Sequence, residues 1–167
     1  AVIGAGPVGL CVVAALRALK RTRIVSGDVE PARLRAAGRM GAAKTVRVSL
    51  TRPMRDQAAA FGKPPVVIEA GGTASALDLA IHAVAPGGTV MIIGIMDGLT
   101  VPVNLHAARR KELNFINVRR SNGEIKQALA LVVSRRVNLR PMLTHSGGLA
   151  DADRLFRNNG DGTFTDI

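Results

Sequence analysis

Gly4-Ala5-Gly6-Pro7-Val8-Gly9 is the segment whose residue types and spacing point most directly to chemistry. Three glycines so placed let a chain turn tightly out of a strand, bring its backbone against a pyrophosphate and pack the next helix closely on a sheet. Each task needs a residue without a side chain. The helix that follows adds unpaired N–H groups and a partial positive charge, both suited to phosphate oxygens. Asp28 lies 19 positions beyond the third glycine (28 minus 9), at the expected end of the next strand. A carboxylate there accepts hydrogen bonds from the ribose hydroxyls of an adenosine and disfavours a 2′-phosphate, which points to NAD over NADP. Two alternatives stay open: a purely structural glycine turn, and Asp28 as the N-cap of a helix starting near Pro31. Arg33 is close enough to hold a 2′-phosphate, so NADP also stays open. Arg35 reads as part of a solvated helix face.

The elements that must position these residues alternate along the chain. Short β-branched runs at Val2-Ile3, Arg23 to Ser26, Thr45 to Val48, Val66 to Glu69, Thr89 to Ile95 and Leu113 to Val118 read as six strands. Between them the pattern predicts helices over Val8 to Lys20, Pro31 to Met40, about Pro53 to Phe61, Ala74 to Val84 and Leu105 to Lys111. A last helix is expected over Gly123 to Arg135. Strands alternating with helices imply crossover units and a parallel sheet. The runs Val66 to Glu69 and Thr89 to Ile95 are apolar on both faces, as a sheet covered on both sides requires. The fold expected is α/β: a doubly wound parallel (Rossmann) sheet of about six strands in the order 3-2-1-4-5-6, with helices on both faces.

What the 167 residues lack narrows the chemistry. One Cys allows no internal disulfide and no Cys-based structural zinc site. The absence of Tyr removes the Tyr–Lys proton donor of short-chain reductases. With no Trp, no Tyr and four Phe, there is little to stack on single-stranded nucleic acid. Cys11 is expected as a small buried hydrophobe in the first helix, and His82 and His106 as structural residues. The longest apolar run, Val8 to Leu16, is too short to cross a bilayer, and no signal peptide is legible. A reduced, cytoplasmic setting is therefore expected. The start at Ala1-Val2-Ile3, already inside an apolar run, reads as a cut end.

The glycine segment Val2-Ile3-Gly4-Ala5-Gly6-Pro7-Val8-Gly9-Leu10 resembles the cofactor loop of the medium-chain, zinc-type alcohol and polyol (sorbitol-like) dehydrogenases. The likeness continues through Asp28-Val29-Glu30-Pro31-Ala32-Arg33-Leu34, Met40-Gly41-Ala42 and Val67-Ile68-Glu69-Ala70-Gly71-Gly72. It then runs through Ala85-Pro86-Gly87-Gly88-Thr89-Val90, Ile93-Gly94 and Arg110 to Arg120. The resemblance implies that Gly4, Gly6, Pro7, Val8 and Gly9 hold the pyrophosphate, with Asp28 and Arg33 at the adenosine end. It places Ala70 and Gly71 against the adenosine half, Gly94 and Ile95 facing the nicotinamide, and Asn117, Val118 and Arg119 at its carboxamide end. It also implies a dimer built by pairing the edge strand 113–118.

The sequence departs from that family in what it does not contain. The family carries its catalytic zinc on a preceding domain of Cys, His and acidic ligands, and none of those ligand spacings occurs here. Zinc is expected only in that absent domain, and the substrate, a small alcohol or polyol, only in a full-length protein. Residues 1–136 are expected to be the dinucleotide-binding domain. Residues 137–167, including the return segment Leu143-Thr144-His145, are expected to pack on the missing catalytic domain. The run Asn158-Asn159-Gly160-Asp161-Gly162 reads as a solvated turn, because a calcium loop would put Arg157 at its first ligand position. The expected behaviour is cofactor binding without turnover. A net charge of +11 keeps a basic nucleic-acid-binding module as an alternative from another class, and a noncatalytic dinucleotide sensor as one using the same site.

Overall fold

A computed structural model describes residues 1–119, 121, 123–143, 156–158 and 164–166. Strands β1 (Val2–Ile3), β2 (Val25–Asp28), β3 (Lys44–Arg47), β4 (Val66–Glu69), β5 (Thr89–Ile92) and β6 (Asn114–Asn117) form one sheet. Its order is β3-β2-β1-β4-β5-β6, and every pairing is parallel. The expected doubly wound order is borne out. The chain reverses direction across the sheet between β1 and β4, which opens a crevice at the carboxyl ends of those strands.

The side chains of β1 show why the sheet needs two covers. Val2 packs into one cluster with Leu10, Val13, Ala14, Ala36, Ala37 and Met40 of helices α1 (Pro7–Ala18) and α2 (Pro31–Met40). Its neighbour Ile3 points the other way, into the cluster of Phe61, Val67, Leu77, Ile81 and Val90. That second cluster is built by α3 (Met54–Gln57), a 3₁₀ turn at Ala58–Phe61, α4 (Ala74–Ala83) and α5 (Leu105–Arg110). Leu79, Ile81, Val67, Val84 and Val90 are fully buried. Each contributes about 1.5–3 kcal/mol of burial relative to exposure.

Element ends differ from the sequence expectation where tertiary contacts decide them. β2 lies two residues later than expected, because β1 pairs Val2 with Ser26 and Ile3 with Gly27. A Cβ on Gly27 would lie 2.5 Å from the Phe61 ring, so a larger residue there would have to displace that ring. β5 stops at Ile92 and not at Ile95, since the N–H groups of Ile93 and Gly94 both donate to the Glu69 carbonyl (2.9 and 3.0 Å) and turn the chain. The helix expected over 53–61 breaks into α3 and the 3₁₀ turn.

Cys11 is exposed and not buried, because α1 turns Gly9, Leu10, Val13 and Ala14 toward the sheet and leaves Cys11 on its outer stripe. There its Sγ is 3.9 Å from Met142 Sδ. Helix α6 (Ile125–Val133) buries none of its residues and exposes Ile125, Leu129 and Val133. After it, Arg136 donates to the Ala18 carbonyl (2.8 Å), and Val137 and Met142 pack against the α1–α2 cluster. Beyond Leu143, Thr144 and His145 of the return segment lie outside the described residues, as do residues 159–162 of the run expected to be a solvated turn, whose first residue, Asn158, is the last of a strand. β7 (Phe156–Asn158) and β8 (Phe164–Asp166) form an antiparallel pair.

Candidate dinucleotide site

The first turn out of the sheet is set by close packing at two glycines. Gly4 has φ +91°, and its N–H donates to the Gly27 carbonyl (2.8 Å). A Cβ on Gly4 would lie 2.6 Å from the Gly71 nitrogen, and one on Gly9 would overlap the Gly4 carbonyl oxygen. The glycines thus press α1 against β1 and the loop after β4. Gly6 differs, since nothing lies within 4 Å of the place its Cβ would take. Gly6 is also the N-cap of α1 and brings no side-chain oxygen to the first N–H groups. That leaves them directed outward over an open backbone surface, which suits an anion.

Asp28 ends β2 beside this turn, and its side chain is only 5% exposed. Its Oδ2 accepts from the Ala5 N–H (2.6 Å) and its Oδ1 from the Glu30 N–H (2.8 Å). The N-cap of α2 is Glu30, whose side chain accepts from Ala32, so capping does not occupy Asp28. A carboxylate has about four acceptor positions, of which these bonds use two. Two remain, which matches the two hydroxyls of a ribose. Arg33 sits at 3.9 Å from Oδ1 with its own side chain 56% exposed, a weak ion pair at the rim.

Gly4, Asp28, Arg33 and Gly71 line one cavity of about 220 Å³. Sequence reasoning missed its apolar walls, Val29, Val48, Leu50 and Met54, and the α4 end with Thr73 and Ser75. Val48 and Leu50 follow the short β3, where no motif marks them. Ala70 adjoins this group, next to Gly71 and near the Gly9 backbone. Gly94, Ile95, Asn117, Val118 and Arg119 do not line the cavity. They lie at or just beyond the carboxyl ends of β5 and β6, where the Val118 N–H donates to the Ile92 carbonyl (3.0 Å). Ile95 is 73% exposed.

A second omission is Glu69, the fully buried last residue of β4. Its Oε1 accepts from the N–H groups of Gly71 and Gly72, both at 2.7 Å. Its Oε2 has no hydrogen-bond partner. Burial pushes its carboxyl above the ordinary glutamate range, against a smaller downward pull from the surrounding backbone N–H groups. A carboxyl closing an otherwise apolar strand was the available signal.

No group of three or more His, Cys, Asp or Glu that could hold a metal occurs among the described residues. His82 Nε2 lies 3.5 Å from Asp78 Oδ1 within α4, and His106 is exposed at the start of α5. No described helix is long and apolar enough to cross a membrane.

Residues 7–134 match the family described as zinc-binding dehydrogenase. The chain belongs to that family. Zinc-binding dehydrogenase relatives include the sorbitol dehydrogenase of Bos taurus, 30% identical over 165 residues, covering 96% of this chain and 46% of the relative. Among solved structures, the alcohol dehydrogenase TADH from Thermus sp. ATN1 is 32% identical with a TM-score of 0.77, over 92% of this chain and 45% of that one. A short chain alcohol dehydrogenase (rspB) from E. coli CFT073, complexed with cofactor NADH, is 25% identical with a TM-score of 0.78, over 92% and 47%. The chain therefore spans about half the length of the relatives it matches. The resemblance read from seven segments, five of them containing glycine, is borne out, and the nucleic-acid alternative is not favoured.

Proposed function

We propose that this chain binds NAD across the carboxyl ends of its strands, as the cofactor-binding part of a longer zinc-type alcohol or polyol dehydrogenase. The observation that carries the reading is Asp28. It is buried, held by two backbone N–H groups, and left with two acceptor positions beside an uncapped helix start. In this reading the outward N–H groups of α1 take the pyrophosphate, and Asp28 takes the adenosine ribose. Val29, Val48, Leu50 and Met54 wall the adenine, with Arg33 at its edge. Gly94, Ile95, Asn117, Val118 and Arg119 line the path toward the nicotinamide. The bound cofactor supplies the hydride acceptor for a carbinol carbon. This chain's residues bind and orient it, and zinc and the alcohol belong to a catalytic domain of the longer protein.

The choice between NAD and NADP rests on charge. A 2′-phosphate would stand against the Asp28 carboxylate, while exposed Arg33 compensates only weakly. Calorimetry should therefore show NAD bound at least about tenfold more tightly than NADP. Equal or tighter NADP binding would reverse the assignment. A noncatalytic sensor would use the same contacts and is separated from a dehydrogenase by assaying the longer protein on alcohols.

The free edge of the sheet supports a second contact. All four residues of β6 are exposed, and Phe115, Ile116 and Val118 are apolar. An uncovered apolar edge strand invites pairing with another copy, and a homodimer through 113–118 is the proposed result. Light scattering behind size-exclusion should show mass rising with concentration. A constant monomer would remove the dimer.

A further inference from the structure

Glu69 is a buried carboxyl that the dinucleotide reading leaves without a task. It is fully buried at the carboxyl end of β4, one of its oxygens has no partner, and no ion pair reaches it among the described residues. Burying a carboxyl without pairing it is costly, so its position calls for an explanation in what it touches. Oε1 gathers two successive N–H groups, Gly71 and Gly72, and so fixes the turn after β4. Oε2 points at the turn after β5, where a Cβ on Gly94 would lie 2.5 Å from it and 2.5 Å from the Gly72 nitrogen. The first of these turns abuts Gly4, whose own Cβ would strike Gly71. Three loops thus meet around one carboxyl.

We infer that Glu69 is a positioning residue that sets the turns after β4 and β5 against each other, and through Gly71 against the Gly4 turn. A single buried side chain then fixes the spacing between the adenosine and nicotinamide ends of the site. Only the oxygen at Oε1 is needed for the two N–H bonds, so a glutamine serves and a shorter or apolar side chain does not. The consequence for affinity rests on the proposed NAD site; the consequence for the loops does not.

The test uses the full chain with Glu69→Gln, Glu69→Asp and Glu69→Ala. Amide hydrogen exchange on the free proteins reads the loops directly, and NAD calorimetry reads the site. In the parent and in Glu69→Gln, the Gly71 and Gly72 amides should be protected and NAD affinity should agree within about threefold. Glu69→Asp falls short of both amides; it should lose their protection and bind NAD about tenfold or more weakly. Glu69→Ala should do the same, and if it fails to fold, the aspartate variant carries the comparison. Retained protection in Glu69→Asp, or lost protection in Glu69→Gln, would overturn the role. If exchange follows the expectation but the parent binds no NAD, the proposed function fails and the loop-positioning role stands.

Discussion

Replacing Gly9 with alanine should cost the chain about 3 kcal/mol of stability and its NAD binding together. The added Cβ would overlap the Gly4 carbonyl oxygen, a backbone atom with no rotamer to change. Gly4 is pinned from two sides, by its hydrogen bond to Gly27 and by its contact with the Gly71 backbone. Relief requires α1 to lift from β1, which opens the Val2, Leu10 and Val13 packing beneath it. For a domain of this size the loss corresponds to a fall in Tm of about 6–12 °C. Thermal denaturation measures it, and a Tm within about 2 °C of the parent would contradict the close packing. Gly6→Ala is the control. Its Cβ meets nothing, so stability should hold while NAD weakens wherever the backbone must approach a phosphate.

Asp28→Ala has the second large effect, on affinity more than on stability. The carboxylate now satisfies the Ala5 and Glu30 N–H groups, and the variant leaves both without an acceptor. In the NAD complex it also loses the two ribose bonds. Bonds to a charged acceptor contribute about 1.5–3 kcal/mol each, so NAD should weaken about 100-fold or more. NADP should weaken less, because the repulsion of its 2′-phosphate goes with the charge. Titration of both dinucleotides gives the ratio; an NAD affinity within about threefold of the parent would show that Asp28 does not touch the ribose. Asp28→Asn keeps one acceptor and should fall between.

Particular residues show why the fold was legible before the structure and parts of the site were not. Val2 and Ile3 alternate between two cores, and the glycine punctuation at Gly4, Gly41 and Gly88 separates the elements, so strand order followed from local pattern. The tight turn at Gly4 and Gly9 and the place of Asp28 at the end of β2 were legible because residue type at fixed spacing sets them. The cavity walls at Val48, Leu50 and Met54 were not, since apolar residues after a short strand look the same whether they meet a core or a ligand. The exposure of Cys11 depended on which stripe of an all-round apolar helix faced the sheet, and periodicity does not fix that stripe. Glu69 lay inside a segment read for its glycines. Its importance comes from contacts to Gly71, Gly72 and Gly94 that exist only once β4 and β5 are paired.

The exposed apolar stripe of α6, with Ile125, Leu129 and Val133, fits a chain that spans about half of its relatives' length. Under the proposed function, a catalytic domain of a longer protein is the partner proposed to cover it. That reading leaves cofactor binding as the activity this chain can show alone.

The most direct test is an NMR titration of the ¹⁵N-labelled chain with NAD. The amides of Gly6, Val8 and Gly9, those of Ala5 and Glu30 on Asp28, and Gly71 should shift together along one saturating curve. No shift at millimolar NAD, or shifts confined to the basic surface around Arg17 and Arg21, would contradict the account.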